Sequence, residues 1–270
     1  MNVSIMTDLE GVPGATTIDA VKNISVPEAY AHSCRMLEKT LNWVVETCIE
    51  NGAENIYYYD GHGGGGNIQD GSINPRATKV TIDEWSKLLR EGKIDCHLEV
   101  GAHARAGTLG GFLDHTFNSS AIFEYRLNGE PCSELSLVAA ICGCFDVPSV
   151  LCIGDRAACE QAKEYIPEIK TAIVKEGTER NICHDLPNAE QIIKEAVADA
   201  LKDYRDIPPY KVSLPVTIQQ TTYRSDMTDA SYAAIMAKGN PRNVERVDAR
   251  TLRRVQPEIT RYEDLRIHWE

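Results

Sequence analysis

The opening β-α-β pattern is what most constrains how this chain folds. An apolar run from Val3 to Met6 leads, through an irregular segment ending at Pro27, into apolar positions at helical spacing: Tyr30, Cys34, Leu37, Leu41, Val44 and Cys48. Asn51-Gly52 ends that run, and Glu54 to Tyr59 then reads as a second strand. Strands joined through a crossover helix run parallel, and a parallel sheet is covered by helices. A chain that opens this way is committed to α/β layering.

The alternation continues. Glu84 to Leu89 has helical spacing and Ile94 to Val100 that of a strand, and a Gly-rich passage follows. Ala121 to Leu127 reads as a strand turned by Asn128-Gly129, a strong hairpin signal. Ser133 can cap a helix running to Phe145 with Glu134 in its first turn, and Pro148 to Ile153 resumes a buried strand ending at Gly154-Asp155. Ile169 to Val174 reads as a strand and Asn188 to Tyr204 as an amphipathic helix. Pro208-Pro209 breaks the pattern; Lys211 to Gln219 then alternates, before a helix near Asp229 to Ala237. The fold expected is α/β, a mostly parallel sheet flanked by helices with a smaller second lobe. Residues 1–207 would form the larger α/β domain and residues 208–270 the C-terminal lobe, unless the two are continuous.

At 270 residues the chain is long enough to bury a large core. No apolar run approaches the roughly 20 residues needed to span a bilayer, and the N-terminus lacks a secretory signal pattern. A net charge of −12 argues against nucleic acid or an anionic membrane as partner. Nine cysteines, an odd number lying mostly in apolar runs, fit buried thiols in a reducing compartment better than disulfides. The expected location is therefore cytoplasmic, and the sequons at Asn23 and Asn118 then carry no weight. No Cys-x-x-Cys pair occurs, and Cys142-Gly143-Cys144 lies in a helical stretch, which disfavours a thiolate zinc site.

In open α/β sheets, ligands and catalytic groups gather at the carboxyl ends of the strands. Asp8 and Glu10, in Asp8-Leu9-Glu10-Gly11, follow the first strand. Asp60 and His62 follow the second, His103 the next, and His115 lies in Leu113-Asp114-His115-Thr116; Glu134 is a further candidate. Carboxylates and imidazoles without cysteine suit zinc, manganese or cobalt in a hydrolytic site, including two ions bridged by one carboxylate. Each residue also has a plain structural role open to it. Asp8 and Glu10 can be ordinary loop acids, Glu134 can complement a helix dipole, and Asp60 can cap a turn or orient His62. His32, His97, His184 and His268 are read as hydrogen-bonded core or surface groups. Gly63 to Gly66 lacks the residues of a nucleotide-binding loop and is read as a flexible loop beside the site. There is no Gly-x-Ser-x-Gly elbow and no His-Glu-x-x-His helix.

Asp8-Leu9-Glu10-Gly11, Asp60-Gly61-His62, Gly101-Ala102-His103-Ala104, His115-Thr116, Asn128-Gly129 and Glu134, with Gly154-Asp155 and Lys175-Glu176-Gly177, together resemble the D-aminopeptidase family. The resemblance covers essentially the whole chain. It implies a metallo-aminopeptidase with two zinc ions per subunit, manganese or cobalt being possible substitutes. The ligands would be Asp8, Glu10, His62, His103 and Glu134, with Asp8 bridging, and the catalytic histidine His115, as nucleophile or as general acid or base. It further implies release of an N-terminal residue, typically a D-residue, from short peptides or aminoacyl amides, and a homo-oligomer of stacked rings such as a decamer. Two positions depart from the family pattern: Met6 replaces a serine and Ala102 a tyrosine, which bear on a ligand hydrogen bond and on the pocket. A different metal-dependent amidase or amidohydrolase stays open. So does a non-catalytic peptide-binding protein.

Overall fold

The computed structural model describes residues 1–22 and 25–267; Asn23, of the first sequon, and His268 lie outside the described residues. The chain begins with strand β1 (Asn2–Thr7), a short helix α1 (Ile18–Val21) and the long helix α2 (Pro27–Glu50). Proline opens α2, where its missing N–H costs nothing, and Leu37, Leu41, Val44 and Cys48 form its buried stripe. Next come β2 (Asn55–Asp60), β3 (Ala77–Lys79), α3 (Ile82–Arg90) and β4 (Cys96–Ala102). Thr81 and Glu84 close a capping box at the start of α3.

A hairpin of β5 (Ile122–Leu127) and β6 (Glu130–Pro131) turns at Asn128-Gly129, as expected. Helix α4 (Glu134–Cys144) starts from Ser133 and is followed by β7 (Ser149–Asp155), α5 (Arg156–Tyr165), β8 (Lys170–Glu179), β9 (Ile182–Asp185) and α6 (Ala189–Lys202). The chain ends in β10 (Val216–Thr222), α7 (Ser225–Ala237), β11 (Glu245–Arg246) and β12 (Thr251–Gln256). The alternation expected over Lys211 to Gln219 becomes a strand only from Val216 on, immediately past Pro215, which has no N–H for a ladder.

Seven strands form one sheet in the order β3-β2-β1-β4-β7-β8-β9, parallel except for β9. The chain leaves β1 to one side for β2 and β3, then crosses back to place β4 on the other side. The carboxyl ends of β1 and β4 therefore flank a topological switch point, where an open α/β sheet leaves a crevice. A second, antiparallel sheet runs β11-β12-β10-β5-β6. Its last two strands come from the 122–131 hairpin, so residues 208–270 complete their sheet with a ribbon from earlier in the chain.

Two apolar cores result. One lies between the parallel sheet and helices α2, α5 and α6; the other lies between the opposite face, α3, α4 and the antiparallel sheet. Helix α4 is buried nearly all round because it is packed from both sides. Among the described residues no helix is long and apolar enough to cross a membrane. All nine cysteines are free thiols, and seven are buried.

Candidate metal centre

The loop after β1 is clamped to the end of β4 by backbone contacts. Asp8 N donates to Val100 O and Gly11 N to Gly101 O, each at 2.8 Å. The approach is so close that a Cβ on Gly101 would stand 2.0 Å from Asp8 O, and one on Gly11 2.3 Å from Ala102 O. Gly101 also has φ +87°, which an L side chain rarely adopts. These glycines let two strand ends touch and so bring Asp8, Glu10 and His103 together.

The five ligand positions read from the sequence converge in two groups that share Asp8. Asp8 Oδ1 lies 2.9 Å from His62 Nδ1, and Glu10 Oε2 lies 3.0 Å from the same nitrogen. Asp8 Oδ2 lies 3.3 Å from His103 Nε2, as does Glu134 Oε1. One carboxylate thus turns one oxygen to each group. Bonds of about 2.0–2.1 Å in tetrahedral geometry put ligand atoms roughly 3.3 Å apart, so both groups have the spacing of a metal cage.

The hydrogen bonds on the far sides of the imidazoles fit the same donor set. His103 Nδ1–H donates to Ala104 O at 3.0 Å and His62 Nε2–H to Val21 O at 3.2 Å. Each ring therefore aims its other nitrogen at carboxylate oxygens, which requires a positive charge between them. Without metal that charge must be a proton. Burial disfavours it on His62, yet Glu10 and Asp8 outweigh burial and raise the pKa to about 11. Burial likewise opposes the charge on His103, and Asp8 and Glu134 carry its pKa well above the usual value. Burial pushes the Asp8 carboxyl up, but His103 and His62 more than reverse this and hold it well below the carboxylate range. Three carboxylates and two imidazoles aimed inward match one or two divalent cations in charge and chemistry.

His115 stacks on His103, ring centroids 3.9 Å apart and 7° from parallel. Its Nδ1–H donates to Leu113 O at 2.7 Å, leaving Nε2 unprotonated and facing Glu10 Oε1 at 3.9 Å and Glu134 Oε1 at 4.0 Å. Glu10, His103 and His115 also form a possible metal-holding group. The longer separations set His115 outside the tighter pair of cages. Burial, then the nearby His103, lowers its pKa, so the ring is neutral at physiological pH. Its loop holds Leu113 at φ 49° and Phe117 at φ 63°, two left-handed residues flanking the histidine. Anchors hold that strain: Phe112 N donates to Asp155 Oδ2 at 2.8 Å, Leu113 N to Arg180 O at 2.6 Å, and Phe117 N to Glu134 Oε1 at 2.8 Å.

Asp60 does not reach the His62 ring. Its oxygens accept from Asn67 N at 2.8 Å and Asn67 Nδ2 at 2.9 Å, the turn-capping role, and so close the glycine loop that carries His62. His97 is a hydrogen-bonded core group between Ser4 Oγ and Glu99 Oε2, each 2.8 Å away. Met6 lines the cavity above the site. Ala102 instead packs in the apolar core beneath, so its replacement of a larger residue changes packing there.

Sequence reasoning gave no role to Lys175, Glu99 or Arg266. Lys175 is fully buried and donates to Glu10 O at 2.8 Å and Ala15 O at 2.6 Å, tying the Asp8–Glu10 loop to β8. Burial lowers its pKa. Lysine after Ile173-Val174 and glutamate between Leu98 and Val100, charges inside buried strands, were the available signals. Glu99 and Arg266 line a cavity of about 720 Å³ together with Asp8, Glu10, His62, His115 and Glu134.

The chain is similar to known proteins in sequence and in fold. A family model described as D-aminopeptidase, Peptidase M55, matches residues 1–264. A D-aminopeptidase of Bacillus subtilis (strain 168) is 28% identical over 220 residues, 77% of this chain and 77% of that one. In fold, the chain is similar to the solved Zn-dependent D-aminopeptidase DppA from Bacillus subtilis, a self-compartmentalizing protease, with TM-score 0.85, 22% identity and coverage of 98% of this chain and 95% of that chain.

Proposed function

The chain belongs to the D-aminopeptidase family, and from that premise we propose that its strand-end cluster holds two zinc ions and releases N-terminal D-amino acids from short peptides or aminoacyl amides. The observation that carries this reading is the division of Asp8 between two cages, one oxygen to each. Glu10 and His62 would complete one cage, His103 and Glu134 the other. Zinc bound there supplies a Lewis acid for the scissile carbonyl and lowers the pKa of water.

The chain's own residues supply the proton handling. His115 Nε2, bare and neutral, accepts a proton from the attacking water and returns it to the departing amine; its bond to Leu113 O fixes the tautomer throughout. Lys175 keeps the Glu10 backbone in place from below. The cavity walls around Met6, Phe117 and Tyr262 exclude water from one side of the substrate.

Assembly into a homo-oligomer is part of the proposal, supported by the self-compartmentalizing description of the similar structure. A cytoplasmic location is supported by the nine free thiols. The test is elemental analysis with a substrate panel. About two equivalents of zinc, loss of turnover on chelation, preference for D-aminoacyl substrates and loss of turnover when the α-amine is acylated are expected. Hydrolysis of N-acylated substrates in preference to free amines would replace this reading with an amidase. Light scattering that returns a monomer would remove the assembly.

A further inference from the structure

Resting on the aminopeptidase reading, we propose that Arg266 forms a subsite for the substrate's free C-terminal carboxylate, so that dipeptides and tripeptides are preferred over capped or longer chains. Arg266 lines the same cavity as the two cages. Its guanidinium carbon lies 4.6 Å from the Phe117 ring centroid and 5.6 Å from that of Tyr262. These ring contacts hold the guanidinium by cation–π attraction without using its N–H donors, which are left for a ligand. Carboxylates are the ligands that match these donors bidentately.

Glu263 and Glu134 both attract the charge of Arg266, but among the described residues neither forms a close ion pair with it. Glu263 Oε1 is 3.9 Å from its Nη1, beyond hydrogen-bond range, and Glu263 is held by Arg242 at 2.9 Å. The position also suits the length of a short peptide. Phe117 donates its backbone N–H to Glu134 while its ring carries Arg266, so the cation stands one side chain away from the cage. A dipeptide or tripeptide carries its carboxylate one or two residues past the scissile bond, each residue spanning about 3.3–3.6 Å, a separation on the scale of one side chain. Lys22 is a second cation on the cavity wall, but its Nζ already donates to Ser119 Oγ at 3.0 Å.

The experiment compares kcat/KM for D-alanyl-D-alanine, its C-terminal amide, and D-alaninamide. The wild-type protein should prefer the free acid over the capped dipeptide by roughly 10- to 100-fold, the value of a charge-assisted contact. Arg266→Met should erase that preference by slowing the free acid alone, with D-alaninamide turnover kept as proof of a folded, metal-loaded site. Arg266→Lys should restore part of the preference, and Lys22→Met should leave it intact. Equal rates on acid and amide in the wild type, or an equal loss on all three substrates in Arg266→Met, would overturn the subsite and leave the aminopeptidase standing. A wild-type protein inert toward all three would remove both.

Discussion

His103 and His62 face Asp8 from opposite sides, and the chain holds them by different means. His103 sits at the end of a fully buried strand, its side chain 3% exposed, backed by Ala104 O and stacked against His115. His62 sits on a glycine turn, 15% exposed, with Gly63, Gly64 and Gly66 at positive φ and nothing within 4 Å of where a Cβ would be. The His103 cage is set by the sheet, whereas the His62 cage is closed by a loop. The two should therefore bind metal with unequal affinity, the His62 side exchanging first.

Asp8 belongs to both sides, so its replacement should have the largest effect. Asp8→Asn is expected to lower kcat/KM on the order of 10³-fold or more and to reduce bound metal in both cages. His62→Ala should keep about one equivalent of zinc and His103→Ala less, because the latter removes the ligand that the sheet holds in place, its side chain 3% exposed against 15% for His62. Metal analysis showing equal loss in both single variants would break the asymmetry.

His115 adjoins the rigid cage without belonging to it. His115→Ala should cost roughly 10²- to 10⁴-fold in kcat while zinc content holds. A pH profile sharpens the assignment. The base works when neutral, and burial with His103 lowers its pKa below the usual 6.5, so activity should persist down through pH 6.5 and fall only at more acidic pH. An acid limb above 6.5 would reassign the base.

The same asymmetry governs what could be read from sequence. Alternating strands and helices gave the parallel sheet because buried parallel strands are continuous apolar runs, and the rule of strand ends gave Asp8, Glu10, His62 and His103. The role of Asp60 as a cap for the glycine loop required the partner Asn67, and the pairing of the 122–131 hairpin with β10 required long-range register. Lys175 was visible as a charge inside a buried strand and within a family pattern, but its role was not, since its value lies in two backbone carbonyls more than 150 residues away. Arg266 comes from the far end of the chain, and periodicity says nothing about which wall a C-terminal residue reaches.

Glycine substitutions probe the two supports at the level of stability. Gly101→Ala adds strain at φ +87° and drives a Cβ within 2.0 Å of Asp8 O, a backbone atom that cannot yield cheaply. It should destabilise by roughly 3 kcal/mol or more and lower zinc content. Gly64→Ala meets only the φ +86° penalty, with open space around it, and should cost roughly 1 kcal/mol. Comparable losses in denaturant melts would show that the glycine loop is as tightly packed as the strand end.

A pH titration of stability separates proton from metal as the charge that fills the His62 cage. In chelated protein the His62 pKa is raised from 6.5 to about 11, so the folded state holds this proton more tightly than the unfolded one. That stabilisation is complete below pH 6.5 and is lost progressively as pH rises toward about 11. The melting temperature of metal-free protein should fall across pH 7 to 9, by about 2–4 °C for each kcal/mol lost. Zinc binding needs the neutral imidazole, so in the loaded protein the same titration works in the opposite direction and stability should rise as protons cease to compete. Curves of opposite slope would identify His62 as the position where a proton and a metal exchange, and parallel curves would mean that its charge is met elsewhere.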